Sequence, residues 1–179
     1  MKEMLVYDYT MEALLRVLGQ PLTAGHLAGL RALGVHPRQL QPAYPLEVYT
    51  QVLHFVVAEL WPQLPRDEAG FELGRAFMRA YQQTVMGKAV AAVTRVIGPH
   101  RALERMSRNF RSANNYTETA LNKVGPHHYE LWFNHARHTN FFRGLLTEAL
   151  TRTGARNLSV TLLSTGEADE ATFRICWTP

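Results

Sequence analysis

Hydrophobic positions keep helical spacing through the first part of the chain and change to alternation in the last third. The change marks a helical part of about 9–108 and a sheet-containing part of about 110–178. Met11 to Leu18 repeats apolar residues as a helix does, and Gly19 with Pro21 stops it where a left-handed cap and a following proline belong. Thr23 is placed to cap a second helix running to Leu33 and ended by Gly34. Pro37 to Pro45 reads as an extended connector, because a residue before proline avoids the α region. Leu46 to Trp61 carries Val48, Val52, Phe55, Val56 and Leu60 on one side, a buried helix closed by Pro62 and Pro65. From Asp67, a stripe of Phe71, Leu73, Phe77, Tyr81, Thr84 and Val85 predicts one helix continuing to about Val96, roughly 40 Å of rise. Gly98 and Pro99 break it, and Pro99 suits the first position of a short helix through Ser107.

Beyond Phe110 the pattern predicts strands at about Asn115 to Val124 and His128 to His135, turned at Gly125-Pro126. Thr139 to Thr153 returns to helical spacing and stops at Gly154. A second hairpin pairs Leu158 to Leu163 with Ala171 to Trp177, the last strand alternating Phe173, Ile175 and Trp177 with Thr172, Arg174 and Cys176. The fold class is therefore α+β: an N-terminal helical bundle followed by a strand-strand-helix-strand-strand antiparallel sheet.

Composition changes this picture little. A chain of 179 residues that is 46% hydrophobic fits a single domain, 1–179, with a real core. Its net charge of +4 permits contact with anions but is far from a nucleic-acid tail. The single cysteine, Cys176, excludes an intrachain disulfide, and no apolar run is long enough to span a bilayer. The expectation is a soluble, cytoplasmic protein.

Candidate chemistry falls into four clusters. His127, His128, His135 and His138 lie close in sequence, but on a strand His127 and His135 fall on one face and His128 on the other, which argues against one shared ion. His54 and His100 are the other imidazoles placed to reach an apolar interior as a haem ligand. No cofactor is expected, with haem and zinc as the lesser alternatives. Arg101, Arg105 and Arg108 share one side of a helix, an anion-binding patch or a solvated face pairing with Glu104. Arg111, Asn114, Asn115 and Tyr116 suit recognition of a polar head group, or else turn and cap positions. Phe77, Tyr81 and Thr84 would add an apolar wall with polar handles. No Gly-x-Ser-x-Gly, Walker or His-Glu-x-x-His motif occurs, so no enzyme is expected.

The run Leu73-Gly74-Arg75-Ala76-Phe77 with Tyr81, Thr84 and Gly87, then Gly98-Pro99-His100-Arg101 and Arg111 with Asn114-Asn115, resembles a paralogous family of unknown function abundant in myxobacteria. The resemblance runs from about Leu18 to Trp177 and implies architecture more than activity. The closing order of elements is also similar in topology to the ligand-binding fold of vinyl-reductase-type sensor domains, haem nitric-oxide sensors and Bet-three-like trafficking subunits. The haem sensors carry a Tyr-x-Ser-x-Arg signature from which this chain departs, with Tyr116-Thr117-Glu118-Thr119-Ala120 in its place. The resemblance implies a non-catalytic bacterial sensory or adaptor domain that binds a small, partly apolar ligand and signals through a protein partner. The alternatives are a ligand-free homodimeric interaction module or, with less support, a basic nucleic-acid contact protein.

Overall fold

The computed structural model describes the backbone of residues 3–178 and the side chains of that span except those of Met86, Thr94 and Arg95. Residues 1, 2 and 179 of the expected domain lie outside the described residues. Six helices and two sheets are described: α1 (Asp8–Val17), α2 (Ala24–Ala32), α3 (Leu46–Leu60), α4 (Arg66–Tyr81), α5 (Val85–Asn109) and α6 (Thr139–Thr151). Short strands β1 (Leu5–Tyr7) and β2 (Ala43–Pro45) pair antiparallel. The larger sheet takes β3 (Thr119–Gly125), β4 (His128–Phe133), β5 (Arg156–Thr165) and β6 (Ala171–Thr178) in the order β3-β4-β6-β5, every pairing antiparallel. The α+β class and both hairpins are as the hydrophobic pattern predicts, although β3 starts at Thr119, after the turn in which the expected start at Asn115 lies.

The glycine stops act through their backbone. Gly19, Gly34 and Gly154 adopt φ of +85°, +77° and +87°, the left-handed region that side chains with a Cβ avoid. The period-2 alternation of β4 and β6 sends Tyr129, Leu131, Phe133, Phe173, Ile175 and Trp177 inward, all buried in the core that α6 covers. Helices α4 and α6 cross at reciprocal glycines: a Cβ on Gly74 would run into the carbonyl of Phe141, and one on Gly144 into the carbonyl of Phe71. Beside this crossing, Glu148 is nearly buried and ion-paired to Arg79 at 3.0 Å, Arg152 at 3.1 Å and Arg75 at 3.3 Å.

Two expectations are corrected. The helix expected to run unbroken from Asp67 to about Val96 ends at Tyr81 and restarts at Val85. Thr84 takes an extended conformation, donates to the Tyr81 carbonyl at 2.7 Å and accepts from the Gly87 N–H at 3.0 Å, so it caps the new helix. That cap outweighs the helical preference of the flanking residues. At Gly98 (φ +72°, ψ 170°) α5 kinks without separating, giving a first segment, 85–97, and a second, 99–109. The second correction concerns 37–45, which is not connector alone, because its end forms β2 against β1.

Candidate ligand-binding site

A cavity of about 150 Å³ lies where α4, α6, both segments of α5 and the 110–117 turn meet. That is the size at which an apolar protein cavity holds a benzene-sized guest. Each wall follows from the local fold. The buried stripe of α4 contributes Phe77, Met78 and Tyr81, and α6 contributes Phe141, Phe142 and Leu145. The second segment of α5 turns Met106 inward, and the first lays Gly87, Val90 and Ala91 over the opening. The rings of Phe77 and Phe141 meet edge-on with centroids 5.3 Å apart, and Phe110 packs on Phe133 at 4.9 Å.

Polarity enters through the phenols of Tyr9, Tyr49, Tyr81 and Tyr116, and through uncharged side chains such as Gln82, Asn109 and Asn114. Burial pushes the Tyr116 hydroxyl up to about 12, and drives Tyr49 higher still with a smaller push from Tyr116. Tyr81 is raised by burial and then by Tyr9, and Tyr9 by burial against a lowering contact with Ser112. All four phenols therefore stay protonated at neutral pH. The hydroxyls of Tyr49, Tyr81 and Tyr116 make no hydrogen bond to another described residue.

Of the residues singled out from sequence, Phe77, Tyr81, Asn114 and Tyr116 meet at this wall. Asn114 Oδ1 accepts from the backbone N–H groups of Tyr116 and Thr117, at 3.1 and 2.7 Å. Thr84 stands outside the wall as the α5 cap. Asn115 serves the small sheet: its Oδ1 accepts from the Leu5 N–H at 2.8 Å and its Nδ2 donates to the Glu3 carbonyl at 2.9 Å. Arg111 is exposed in the turn after α5, and Arg101, Arg105 and Arg108 are exposed along its second segment, opposite the buried Ala102, Leu103 and Met106. Val6, Tyr9, Tyr49 and Met106 belong to the wall and were not singled out. Tyr49 was legible, since it shares helical spacing with the buried Val52, Leu53 and Val56.

The imidazoles disperse. His100 Nδ1 lies 3.0 Å from the Tyr129 hydroxyl, and its ring packs 5.0 Å from that of Trp177 and 5.3 Å from that of His127, away from the cavity wall. Burial, then His127 and Lys123, lower its proton affinity. His138 faces the ring of His54 at 5.7 Å, and His135 Nδ1 is 3.8 Å from Asp169. His127 Nδ1, His128 Nε2 and His138 Nε2 are buried without a hydrogen-bond partner among the described residues. Among the described residues no three of His, Cys, Asp and Glu gather to hold a metal, and no helix is long and apolar enough to cross a membrane.

An antiparallel sheet packed on helices, with a cavity among the helices, defines the class: the fold is that of haem nitric-oxide sensor (H-NOX) domains. A protein solved to show how porphyrin distortion modulates haem redox potential superposes with a TM-score of 0.73 at 14% identity, covering 94% of this chain and 93% of that one. An oxygen-binding H-NOX domain related to soluble guanylate cyclases gives 0.70 at 16%, over 95% and 92%. A singly substituted H-NOX domain from T. tengcongensis gives 0.70 at 14%, over 96% of each chain. No curated protein matches the sequence. The chain belongs to the DUF2378 family, a protein family of unknown function, whose pattern matches residues 4–178. Both resemblances read from the sequence, to a family of unknown function and to the haem-sensor topology, hold.

These neighbours also correct the expectation of no cofactor, because the solved domains that share the fold are described as haem and H-NOX proteins. Whether haem suits this chain turns on its own residues. Haem iron takes an axial His, Cys, Met or Tyr. The described wall has no His or Cys, and His100 is engaged with Tyr129 elsewhere. Tyrosinate would have to form from phenols that burial keeps protonated, which leaves the thioethers of Met78 and Met106. The described wall has no charged side chain to pair with haem carboxylates, and a space of about 150 Å³ suits one ring rather than a four-pyrrole macrocycle. The described wall does not fit haem.

Proposed function

We propose that this chain is a non-catalytic sensory domain that takes a small, mainly apolar molecule into the cavity and passes its occupancy to a cytoplasmic protein partner. The observation that carries the reading is an apolar cavity walled in part by Tyr49, Tyr81 and Tyr116, whose hydroxyls bond to no described residue. The neighbours' haem and oxygen complexes support it by analogy of fold. Helix α5 offers a route of transmission. Its second segment turns Met106 to the cavity and Arg101, Arg105 and Arg108 to solvent, so a shift of the helix on filling would re-aim three guanidiniums toward an acidic partner surface. A native mass spectrum of the purified protein tests the reading. Retained mass of an organic molecule, lost on denaturation, is expected; a bare chain whose melting temperature responds to no small apolar compound would overturn it.

One observation favours a second reading, the homodimeric interaction module. Strand β5 is an edge of the larger sheet and exposes Leu162 (41%) and Leu163 (40%). A dimer in sedimentation analysis that Leu162→Lys converts to monomer would support it, and a monomer at high concentration would remove it.

A further inference from the structure

We infer that the cavity takes an uncharged, single-ring aryl carbonyl compound, whose oxygen accepts hydrogen bonds from the hydroxyls of Tyr49 and Tyr116. The inference rests on the ligand-binding reading above and names the class of ligand. Size sets the first limit, since about 150 Å³ accommodates one aromatic ring with a small substituent. The second limit is charge. Among the described wall residues none is ionic, and an ion buried there would lack the counter-charge that desolvation demands. The third is polarity. Tyr49 is 7% exposed, and its hydroxyl bonds to no described residue. Tyr116 stands near enough to oppose ionisation of Tyr49, and its hydroxyl too bonds to no described residue. Each phenol, held protonated by burial, keeps an O–H to donate, and the two lone pairs of one carbonyl oxygen can accept from both at once. Phe77, Phe141 and Phe142 supply edges and faces for the ring of the guest.

Calorimetric titration of the full chain with acetophenone, its hydrocarbon isostere α-methylstyrene, benzoate and benzylamine tests this inference. Acetophenone is expected to bind at least fivefold more tightly than the isostere, with the two ions weakest. Tyr49→Phe and Tyr116→Phe should each weaken acetophenone about five- to tenfold, the loss of one hydrogen bond, and leave α-methylstyrene unchanged. That unchanged affinity also shows that each variant keeps its fold. Equal binding of ketone and hydrocarbon, or preference for benzoate, would overturn the ligand class and leave the cavity reading intact. Binding of none of the four would overturn both. Haem uptake that displaces acetophenone would overturn the size argument.

Discussion

The two sides of the cavity are built differently. On one side α4 and α6 touch backbone to backbone at Gly74 and Gly144, Glu148 ties Arg75, Arg79 and Arg152 together, and Arg143 lies over the Phe71 ring at 4.9 Å. On the other side the first segment of α5 spans 85–97, with a threonine cap at one end and a left-handed glycine at the other, and leaves Val85 and Val96 90% and 84% exposed. Packing density and ion pairing hold the first wall in place, whereas the second rests on few buried side chains. Local opening is drawn from regions of low burial, so 85–97 should open more readily than α4 and α6. Amide exchange should show this directly, with α4 and α6 opening near the global limit and 85–97 well below it.

Breaking the fixed wall has the largest expected effect. Gly144→Ala puts a Cβ into the Phe71 carbonyl, and no flexible side chain is there to yield. Separating the helices should cost about 3 kcal/mol or more, read as a lower urea midpoint. Gly74→Ala meets the Phe141 carbonyl in the same way and should behave alike. A loss under about 1 kcal/mol for either would mean that the crossing is looser than described.

Glu148 comes next. Burial pushes its carboxyl up, but the Arg152 hydrogen bond, the Arg79 charge and the Arg75 hydrogen bond together hold it below the usual range. A depressed folded value stabilises above the ordinary carboxylate range and loses that stability as pH falls through the folded value. Glu148→Gln should therefore cost about 1 to 3 kcal/mol at pH 7, the arginines being partly exposed, and flatten the acid limb of stability below about pH 4.5. Urea midpoints at pH 3 and pH 7 for both proteins check the sign: the gap between them must shrink in acid.

How legible each wall was from the sequence follows the same division. Gly19, Gly34 and Gly154 announced their stops because a positive φ needs a residue without a Cβ, and β4 and β6 announced their faces by strict alternation. The break at Gln82-Gln83-Thr84 carried no glycine or proline, and Thr84 read as part of an apolar stripe although its role is a cap. The two small strands pair residues 5–7 with 43–45, and Asn115 joins them across 110 positions, so no local window contains the pattern. The wall residues Tyr9 and Val6 precede the first recognisable periodicity for the same reason. Asn115 and Arg111 looked like recognition residues because amide and guanidinium chemistry is the same in a brace and in a binding site.

A more local effect is expected at the hinge. Gly98 has open space where a Cβ would go, so Gly98→Ala meets no clash and bears only the backbone cost of φ +72°, ψ 170°, a region left almost wholly to glycine, about 1 to 3 kcal/mol. Because α5 belongs partly to the cavity roof, the loss should appear mainly as faster amide exchange in 85–97, with α4 unchanged. Uniform acceleration across the chain would show that the two walls open as one unit, and the contrast between them would fail.

The smallest expected effect lies at Val96, and it sharpens the comparison most. An exposed valine contributes little burial, so Val96→Glu should change stability by no more than about 0.5 kcal/mol, within the range of ordinary surface substitutions. A null result in a monomer at micromolar concentration would confirm that this face of α5 is free in the isolated chain. If the glutamate instead costs more than about 1 kcal/mol, something covers the valine in solution. Repeating the melt over a hundredfold range of protein concentration then decides what: a cost that grows with concentration identifies a second copy of the chain, because association stabilises by mass action. A cost independent of concentration places the cover within the chain, and the first segment of α5 would then be packed as firmly as the wall it faces.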